Sequence, residues 1–523
     1  MQYAKHVAAT PQSEPLIGRD MVKNSAGGYA FKASDWQRLE RFLIIGTEGG
    51  SYYASERALT RENAECVQRC LDLDAHRTIS EIHRVSDKGL APKNDAAIFA
   101  LALASVHPKP EVRRMAFIAL KPVCRIGTHL FQFLEARKIL GGKWSRSSRN
   151  AVAAWYATRS IGDLVTQALK YQNRNGWSHR DALRLAHPSS TPEIAQVFDA
   201  ICHPEKWAEV PQPLAIGYTK IQLVETAAEA AKLVSDYRLP REVVPTKFLT
   251  DPLIWEALLP HMGLTALIRN LGNMGKSGLL HPLMPCVRSV VSRLDSEVEL
   301  RKSRLHPFQI LLAAQVYGSG HGVLGSGTWT PVQVVGDALS RAFYAAFQNV
   351  EPTGKRHLLA IDVSGSMGMR GGPGGLTPAQ AAAAMAMVTA RTEPAYYAMG
   401  FSTGFVDLKI SASDTIQAVL QKTSGMPFGG TDTSVAIRWA QAHKVPVDVF
   451  VVYTDGETWA GNHHTSEALK AYRNATGIAA KLAVVNFVAN KTTIADPTDF
   501  LSMDLVGYDA SMPAVLASFV GQG

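Results

Sequence analysis

Asp362, Ser364 and Ser366 stand at alternate positions in a loop that follows a short apolar run, His357–Ile361. In a tight turn after a strand, residues i, i+2 and i+4 can converge on one point. A carboxylate and two hydroxyls suit a hard divalent cation such as Mg²⁺, which takes oxygen ligands at about 2.0–2.1 Å and keeps some of its waters. Gly365, between the two serines, lets the backbone fold back with no Cβ in the way. Read alone, Asp-Val-Ser-Gly-Ser is also an ordinary Asx- and Ser-rich turn.

Two downstream segments bear on that choice. Phe428-Gly-Gly-Thr431-Asp-Thr is a Gly-rich loop before an apolar helix at Ser434–His443, and the apolar run Val447–Tyr453 ends in Thr454-Asp455-Gly456. In open parallel α/β sheets, ligands bind outside the carboxyl ends of the strands, near the point where strand order reverses. All three loops fall at such ends, so Asp362, Ser364, Ser366, Thr431 and Asp455 can share one ion. Their order and spacing resemble the metal-ion-dependent adhesion site of von Willebrand factor A domains at all five ligand positions. That resemblance implies a bound divalent cation, Mg²⁺ by the oxygen-only donor set.

The elements needed to position these loops are legible around them. After a short linker, Glu351-Pro-Thr-Gly354, strands and helices alternate: strands at His357–Ile361, Ala395–Phe401, Val406–Ile410, Val447–Tyr453 and Lys481–Phe487, and helices after Thr377-Pro378 and near Ser413–Thr423, Ser434–His443, Ser466–Asn474 and Met512–Val520. This is the pattern of a doubly wound α/β domain over residues 356–523. From Thr60 to Phe347 the pattern is helical instead. Apolar stripes such as Asn94–Val106, Glu111–Leu120 and Gly127–Ile139 are separated by short Pro, Gly or Ser breaks. Helix pairs with no strict period predict an α-solenoid of irregular HEAT-like repeats over residues 1–355, with a single large helical bundle as the alternative. Ahead of it, Gln2–Ile17 reads as a loose polar arm and Val22–Tyr29 as turn-rich. Ser34-Asp-Trp-Gln37 has the capping-box pattern of a helix that ends at Gly46, and Thr47–Tyr53 is a Gly-rich turn.

Composition bounds the class. The chain has 523 residues, 46% hydrophobic and 19% charged, a globular balance with room for two or more domains. Met1–Gly18 has no continuous apolar core, and the long uncharged stretches Leu305–Gly336 and Gly371–Ala390 are broken by Gly, Pro and polar residues, so no leader and no membrane span are expected. Five cysteines (Cys66, Cys70, Cys124, Cys202, Cys286) without a C-x-x-C read as reduced core thiols of a cytoplasmic protein. The net charge of +9 is uneven: the first 355 residues carry +11 and the remainder −2. A basic large half suggests a polyanionic partner, though charge by itself does not separate that from a merely basic soluble surface.

Within the basic half, the segment Lys170–His187 (KYQNRNGWSHRDALRLAH) stands out. Lys170 and Arg174 are spaced as one helical turn, which Asn175-Gly176 ends. Ser178 with Asp181 starts the next helix, on which Arg180, Arg184 and His187 recur on one face before Pro188. Upstream, Lys143-Trp144-Ser-Arg146-Ser-Ser-Arg149 adds cations, and Tyr171 and Trp177 are nearby. Arg and Lys anchor phosphates, and aromatic rings stack on unpaired bases. The alternative is a solvated basic helix face with Trp177 in the core.

Taken together, GRDMVKNSAGGYAF, DWQRLERFLIIGTEGGSYY, NRNGWSH with LRLAH, MGLTALIRNLGNM, RLHPFQILLA, GHG and the terminal α/β domain resemble the Ro (TROVE-domain) RNA-binding proteins, of the bacterial type by length. The resemblance covers essentially the whole chain. It implies a ring-like α-solenoid closed by the von Willebrand factor A domain. It implies Y RNAs bound on the outer surface, and single-stranded ends of misfolded or immature RNAs in the central hole. Bacterial relatives are linked to an exoribonuclease, ribosomal RNA maturation, RNA decay and stress survival. Lys170, Arg174 and His187 match family positions implicated in Y RNA binding, and Arg146 and Arg149 fall in a basic segment near the same surface. One departure is KWSRSSRN, where relatives tend to be richer in Gly and Arg. The expectation is therefore a non-enzymatic, monomeric RNA-binding protein in a ribonucleoprotein. A metal-dependent protein-adhesion scaffold is the second reading and a metal-dependent nuclease the third.

Overall fold

The structure, a computed structural model, describes residues 9–24, 26–32, 34–45, 64–88, 91, 93–322, 327–368, 377–423, 429–487, 492–506 and 512–521. Eleven strands occur among them: β1 Met21–Lys23, β2 Tyr29–Lys32, β3 Asn173–Arg174, β4 Trp177–Ser178, β5 Arg356–Asp362, β6 Ala395–Phe401, β7 Phe405–Asp407, β8 Val449–Thr454, β9 Lys481–Asn486, β10 Thr492–Thr493 and β11 Ser502–Val506. The chain forms two compact units. One comprises Leu59–Ser303 and Val316–Ala342; the other comprises Met1–Ala58, Arg304–Gln315 and Phe343–Gly523.

The first unit is an α-solenoid of irregular helix pairs. Each helix packs mainly on helices close to it in the sequence, as in repeat proteins whose cores propagate from neighbour to neighbour. Helices at Pro110–Ile118, Pro192–Cys202, Pro213–Ile221, Pro252–Leu258 and Pro285–Leu294 all begin with proline in the first turn. There the missing N–H costs nothing and the fixed φ is already helical. The helix Asp95–Ser105 is buried from Ala96 onward, which is why its sequence is apolar all round rather than striped. The LIRNLGNM segment lies in the helix Leu264–Lys276. Its glycines are packing surfaces: a Cβ at Gly272 would come within 2.7 Å of the Trp329 ring, and one at Gly275 within 3.1 Å. Trp329 is fixed over them by its indole N–H, which donates to the Tyr317 carbonyl at 2.9 Å.

The second unit is built on a six-stranded sheet of order β11-β9-β8-β5-β6-β7, parallel except at the edge pair β6–β7. Every residue of β8 is buried, as expected for a parallel strand covered on both faces. The Thr377 and Gln380 side chains form the capping box that starts the helix Pro378–Thr392.

Three expectations need correction. The N-terminal arm is not loose where it is described. Thr10 donates from its amide and hydroxyl to Glu467 at 3.2 and 3.0 Å, the Gln12 side chain donates to the His463 carbonyl at 3.0 Å, and Arg19 forms an ion pair with Asp496. The turn-rich stretch after it is the hairpin β1–β2, which β10 extends into a three-stranded sheet. Strand β11 has no counterpart among the expected strands, because Ser502-Met-Asp-Leu-Val places a buried aspartate, Asp504, in its middle. The expected turn at Thr47–Tyr53, the Gly46 helix end and Phe428 lie outside the described residues.

Candidate functional site

The carboxyl ends of β5 and β8 lie side by side, with Ile361 opposite Tyr453. Asp362 is the last residue of β5, and Asp455 follows directly after β8. Both are buried, Asp362 to 1% exposure. Asp362 Oδ1 accepts from the Ser364 amide at 2.9 Å, and its Oδ2 accepts from the Thr454 hydroxyl at 2.9 Å. Ser364 and Ser366 bring their hydroxyl oxygens within 3.0 Å of each other. Burial first, and then the Asp455 charge, push the Asp362 carboxyl up to about 6. Gly456, with φ +84°, turns the chain away, and a side chain there would collide with Asn486.

The Thr431 loop reaches the same end of the sheet. The Thr431 carbonyl accepts from the Thr458 hydroxyl and from the Trp459 and Ala460 amides, each at 3.2 Å, and the Asp432 amide donates to the Ser402 carbonyl beyond β6 at 3.1 Å. Asp432 itself is committed elsewhere. It accepts from the Ser434 amide and hydroxyl at 3.0 and 2.6 Å and pairs with Arg438 at 2.7 Å. Three of the expected ligand positions, Asp362, Ser364 and Ser366, are thus joined by hydrogen bonds through the β5 loop, and Thr431 and Asp455 approach from the two neighbouring loops. The donor set fits a hard divalent cation. It is all oxygen, it contains two buried carboxylates whose mutual repulsion a cation would relieve, and its hydroxyls are ordered around them.

The basic segment lies in the helical unit. Arg146 and Arg149 stand in the first turns of the helix Arg146–Ala157, which starts at a Ser145–Ser148 capping box. Lys170 ends the helix Ile161–Lys170 and is half-buried, its Nζ 5.5 Å from the Tyr171 ring centroid. Arg174 is not one helical turn further on. It belongs to β3, and Asn175 and Gly176, both with positive φ, form the two-residue turn of the hairpin β3–β4. Asn-Gly is the signature of a hairpin turn rather than of a helix end at this site. The Ser178–Asp181 capping box does start a helix, His179–Ala186, and His187 caps it in the left-handed region at φ 49°. Arg180, Arg184 and His187 are exposed on it, as are Arg146, Arg149 and Arg174. That helix packs on Arg146–Ala157, and the hairpin packs on Gly127–Ile139. None of the five arginines has a carboxylate partner among the described residues.

One supporting group, His179, and one pairing, Trp144 with Trp177, escaped the sequence reading. His179 is buried, bonded to the Tyr156 hydroxyl at 2.8 Å and the Gln167 carbonyl at 3.1 Å, and burial holds it down at about 4, neutral at physiological pH. A Cβ at Gly127 would fall within 2.7 Å of its ring, so the glycine makes room for it. Trp177 is half-buried, not a core residue. Its indole donates to Glu135 at 2.8 Å, and its ring centroid is 6.3 Å from that of Trp144. The Trp144–Trp177 pairing links residues too far apart in sequence for any local pattern to reveal.

All five cysteines are free thiols, and burial raises the Cys124 thiol far above its usual range. Among the described residues no helix is long and apolar enough to cross a membrane.

Comparison with known proteins covers both units. A family model for the TROVE domain matches residues 22–213 and 238–318, and one for the Ro60 vWA domain matches residues 356–520. The chain is 42% identical to the RNA-binding protein RO60 of Deinococcus radiodurans, over 97% of each chain. It is 34% identical to the RNA-binding protein RO60 of Caenorhabditis elegans, over 98% of this chain and 91% of that one. The crystal structure of the Deinococcus radiodurans RO (RSR) protein superposes with a TM-score of 0.80, covering 93% of this chain and 99% of that one.

Proposed function

The chain belongs to the Ro (TROVE-domain) family, and from that premise we propose that it binds RNA on the basic face of its helical unit. The observation that carries this reading is the set of exposed arginines at 146, 149, 174, 180 and 184, on packed elements and without carboxylate partners among the described residues. Such cations neutralise phosphates and release their counterions, which supplies affinity without sequence preference. Lys170 ends the helix before the hairpin, Arg174 lies in the hairpin opposite Trp177, and His187 ends the helix after it; aromatic faces there can stack on unpaired bases. Small structured noncoding RNAs of the Y type are the proposed ligands of this face. Single-stranded ends of misfolded or immature RNAs are the proposed ligands of the central hole that the family resemblance implies. RNA quality control, ribosomal RNA maturation or decay with an exoribonuclease, and a role under stress follow as proposals from the same premise.

In the second unit, Asp362, Ser364, Ser366, Thr431 and Asp455 would hold a divalent cation, Mg²⁺ by preference for hard oxygen donors. When bound, the cation supplies a Lewis-acidic point that accepts a carboxylate from a protein partner. This adhesion role stands beside RNA binding. The buried, mutually repelling Asp362 and Asp455 favour it. We assign no catalysis. Labelled RNA incubated with Mg²⁺ should stay intact, and cleavage products that depend on Asp362 would contradict this.

The test of the main reading is crosslinking in cells followed by sequencing of the bound RNA, wild type against His187→Ser. Enrichment of a small structured RNA that disappears in the variant is the expected result. Equal recovery from both proteins would remove the assignment of this face.

A further inference from the structure

The loop that carries Asp455 is gripped by the other end of the chain. In the hairpin β1–β2, the Asn24 side chain donates from Nδ2 to the Thr458 carbonyl at 2.7 Å, while its Oδ1 accepts from the Gly28 amide at 2.9 Å. One side chain therefore closes the hairpin turn and fastens it to the loop. The Ala26 amide donates to Glu457 Oε2 at 3.0 Å. Gly28 sits so close that a Cβ there would run into the Thr458 carbonyl oxygen and lie 2.8 Å from the Trp459 Cα. On its far side the same Thr458 donates its hydroxyl to the Thr431 carbonyl at 3.2 Å. Beyond Trp459 the loop is secured again, by the Gln12 amide on the Gly461 carbonyl at 3.2 Å.

We infer that the β1–β2 hairpin is a positioning element of the metal centre: Asn24 and Gly28 hold Thr458, and through it set Asp455 and Thr431 relative to Asp362. The inference rests on the proposed metal site. Outer groups that orient the groups touching a metal typically change its affinity by about 10–100-fold when removed. Asn24 and Gly28 lie within the stretch matched by the TROVE family model, yet they support a site in the part matched by the vWA model. Linkage makes the coupling reciprocal, so metal binding must in turn tighten the hairpin.

The full-length protein, freed of metal by chelation, is titrated with Mn²⁺ by calorimetry. Asn24→Ala and Gly28→Ala are expected to weaken binding by about tenfold or more. Gly27→Ala is the control: its φ of +95° makes alanine strained, but nothing lies within 4 Å of the added Cβ. It should disturb the turn without pushing the loop and should change Mn²⁺ affinity much less. Circular dichroism and melting in chelator establish that each variant is folded. Should a variant fail to fold, wild-type hydrogen exchange decides instead. Mn²⁺ should slow exchange of the Ala26 and Gly28 amides, and should not do so in Asp362→Ala. Folded Asn24→Ala and Gly28→Ala with wild-type affinity, or no Asp362-dependent slowing, would overturn the inference while leaving the metal site in place. If wild type binds Mn²⁺ no better than Asp362→Ala, the metal reading falls and this inference with it.

Discussion

In the α/β unit, Arg356 ends on Asp448, Arg438 on Asp432, Arg473 on Asp499 and Lys422 on Asp414, at 2.6–2.8 Å. In residues 143–187 of the helical unit, Arg146, Arg149, Arg174, Arg180 and Arg184 end in solvent, with no such partner among the described residues. The exception there sharpens the contrast. Arg159 pairs with Asp163 and lies 3.8 Å over the Trp155 ring, and its side chain is only 9% exposed. A paired guanidinium fastens two elements and is spent; an unpaired one keeps its donors for a phosphate. Elsewhere in the helical unit cations are paired as well, Arg84 with Glu81, Arg293 with Glu299 and Arg341 with Asp295. The contrast is therefore local: within residues 143–187 five arginines are left for a partner outside the fold.

The largest effect that could break this division is at Asp362. Asp362→Ala should abolish Mn²⁺ binding, a loss of at least about 100-fold by calorimetry, and leave RNA affinity unchanged. A matching loss of RNA binding would mean that the two regions do not work separately. Proton competition comes next. Because the Asp362 carboxyl is raised to about 6, its proton must leave before a metal enters. Mn²⁺ affinity should therefore fall by up to about tenfold per pH unit below that point. The sign for stability follows from the same shift. A carboxyl raised on folding favours the metal-free native state at pH below its unfolded value, and that contribution is lost as pH rises through about 6. The gain in melting temperature on adding Mn²⁺ should be larger at pH 7.5 than at pH 5, and equal gains would contradict the shift.

Smaller effects separate spent cations from reserved ones. Asp432→Ala removes acceptors for the Ser434 amide and hydroxyl and strands Arg438. It should cost roughly 2–3 kcal/mol by chemical denaturation, with RNA affinity intact. Arg184→Ala should do the reverse: a stability change within about 0.5 kcal/mol and a several-fold loss of RNA affinity. A stability loss of the Asp432→Ala kind at Arg184 would show that it too is structural.

The sequence made the sheet legible where apolar runs end in loops of fixed chemistry. Strands β5, β6, β8 and β9, the Thr377 cap and the placing of Asp362 and Asp455 at the ends of β5 and β8 could all be read from local pattern. It was less informative where contacts are distant. Thr10 meets Glu467 and Asn24 meets Thr458 through single polar side chains more than 400 residues from their partners, which leave no periodic trace, so a polar arm and a turn-rich stretch looked unattached. Asp504 hid β11 by interrupting its apolar alternation. Between Lys170 and Arg174 two signals competed. Helical spacing suggested one face, while Asn175-Gly176 encoded a hairpin turn, and the turn prevailed because both residues adopt positive φ. The two cations lie on different elements, Lys170 at a helix end and Arg174 in β3.

The most direct test of the account is the affinity of the full-length protein for a labelled stem–loop RNA with a single-stranded tail, measured across a range of salt concentrations. Wild type is compared with Lys170→Ala/Arg174→Ala. The variant should bind more weakly, with a salt dependence whose slope is smaller by about one for each phosphate that is no longer neutralised. Equal affinity and equal slope would contradict the central claim that the basic face of the helical unit is where RNA is bound.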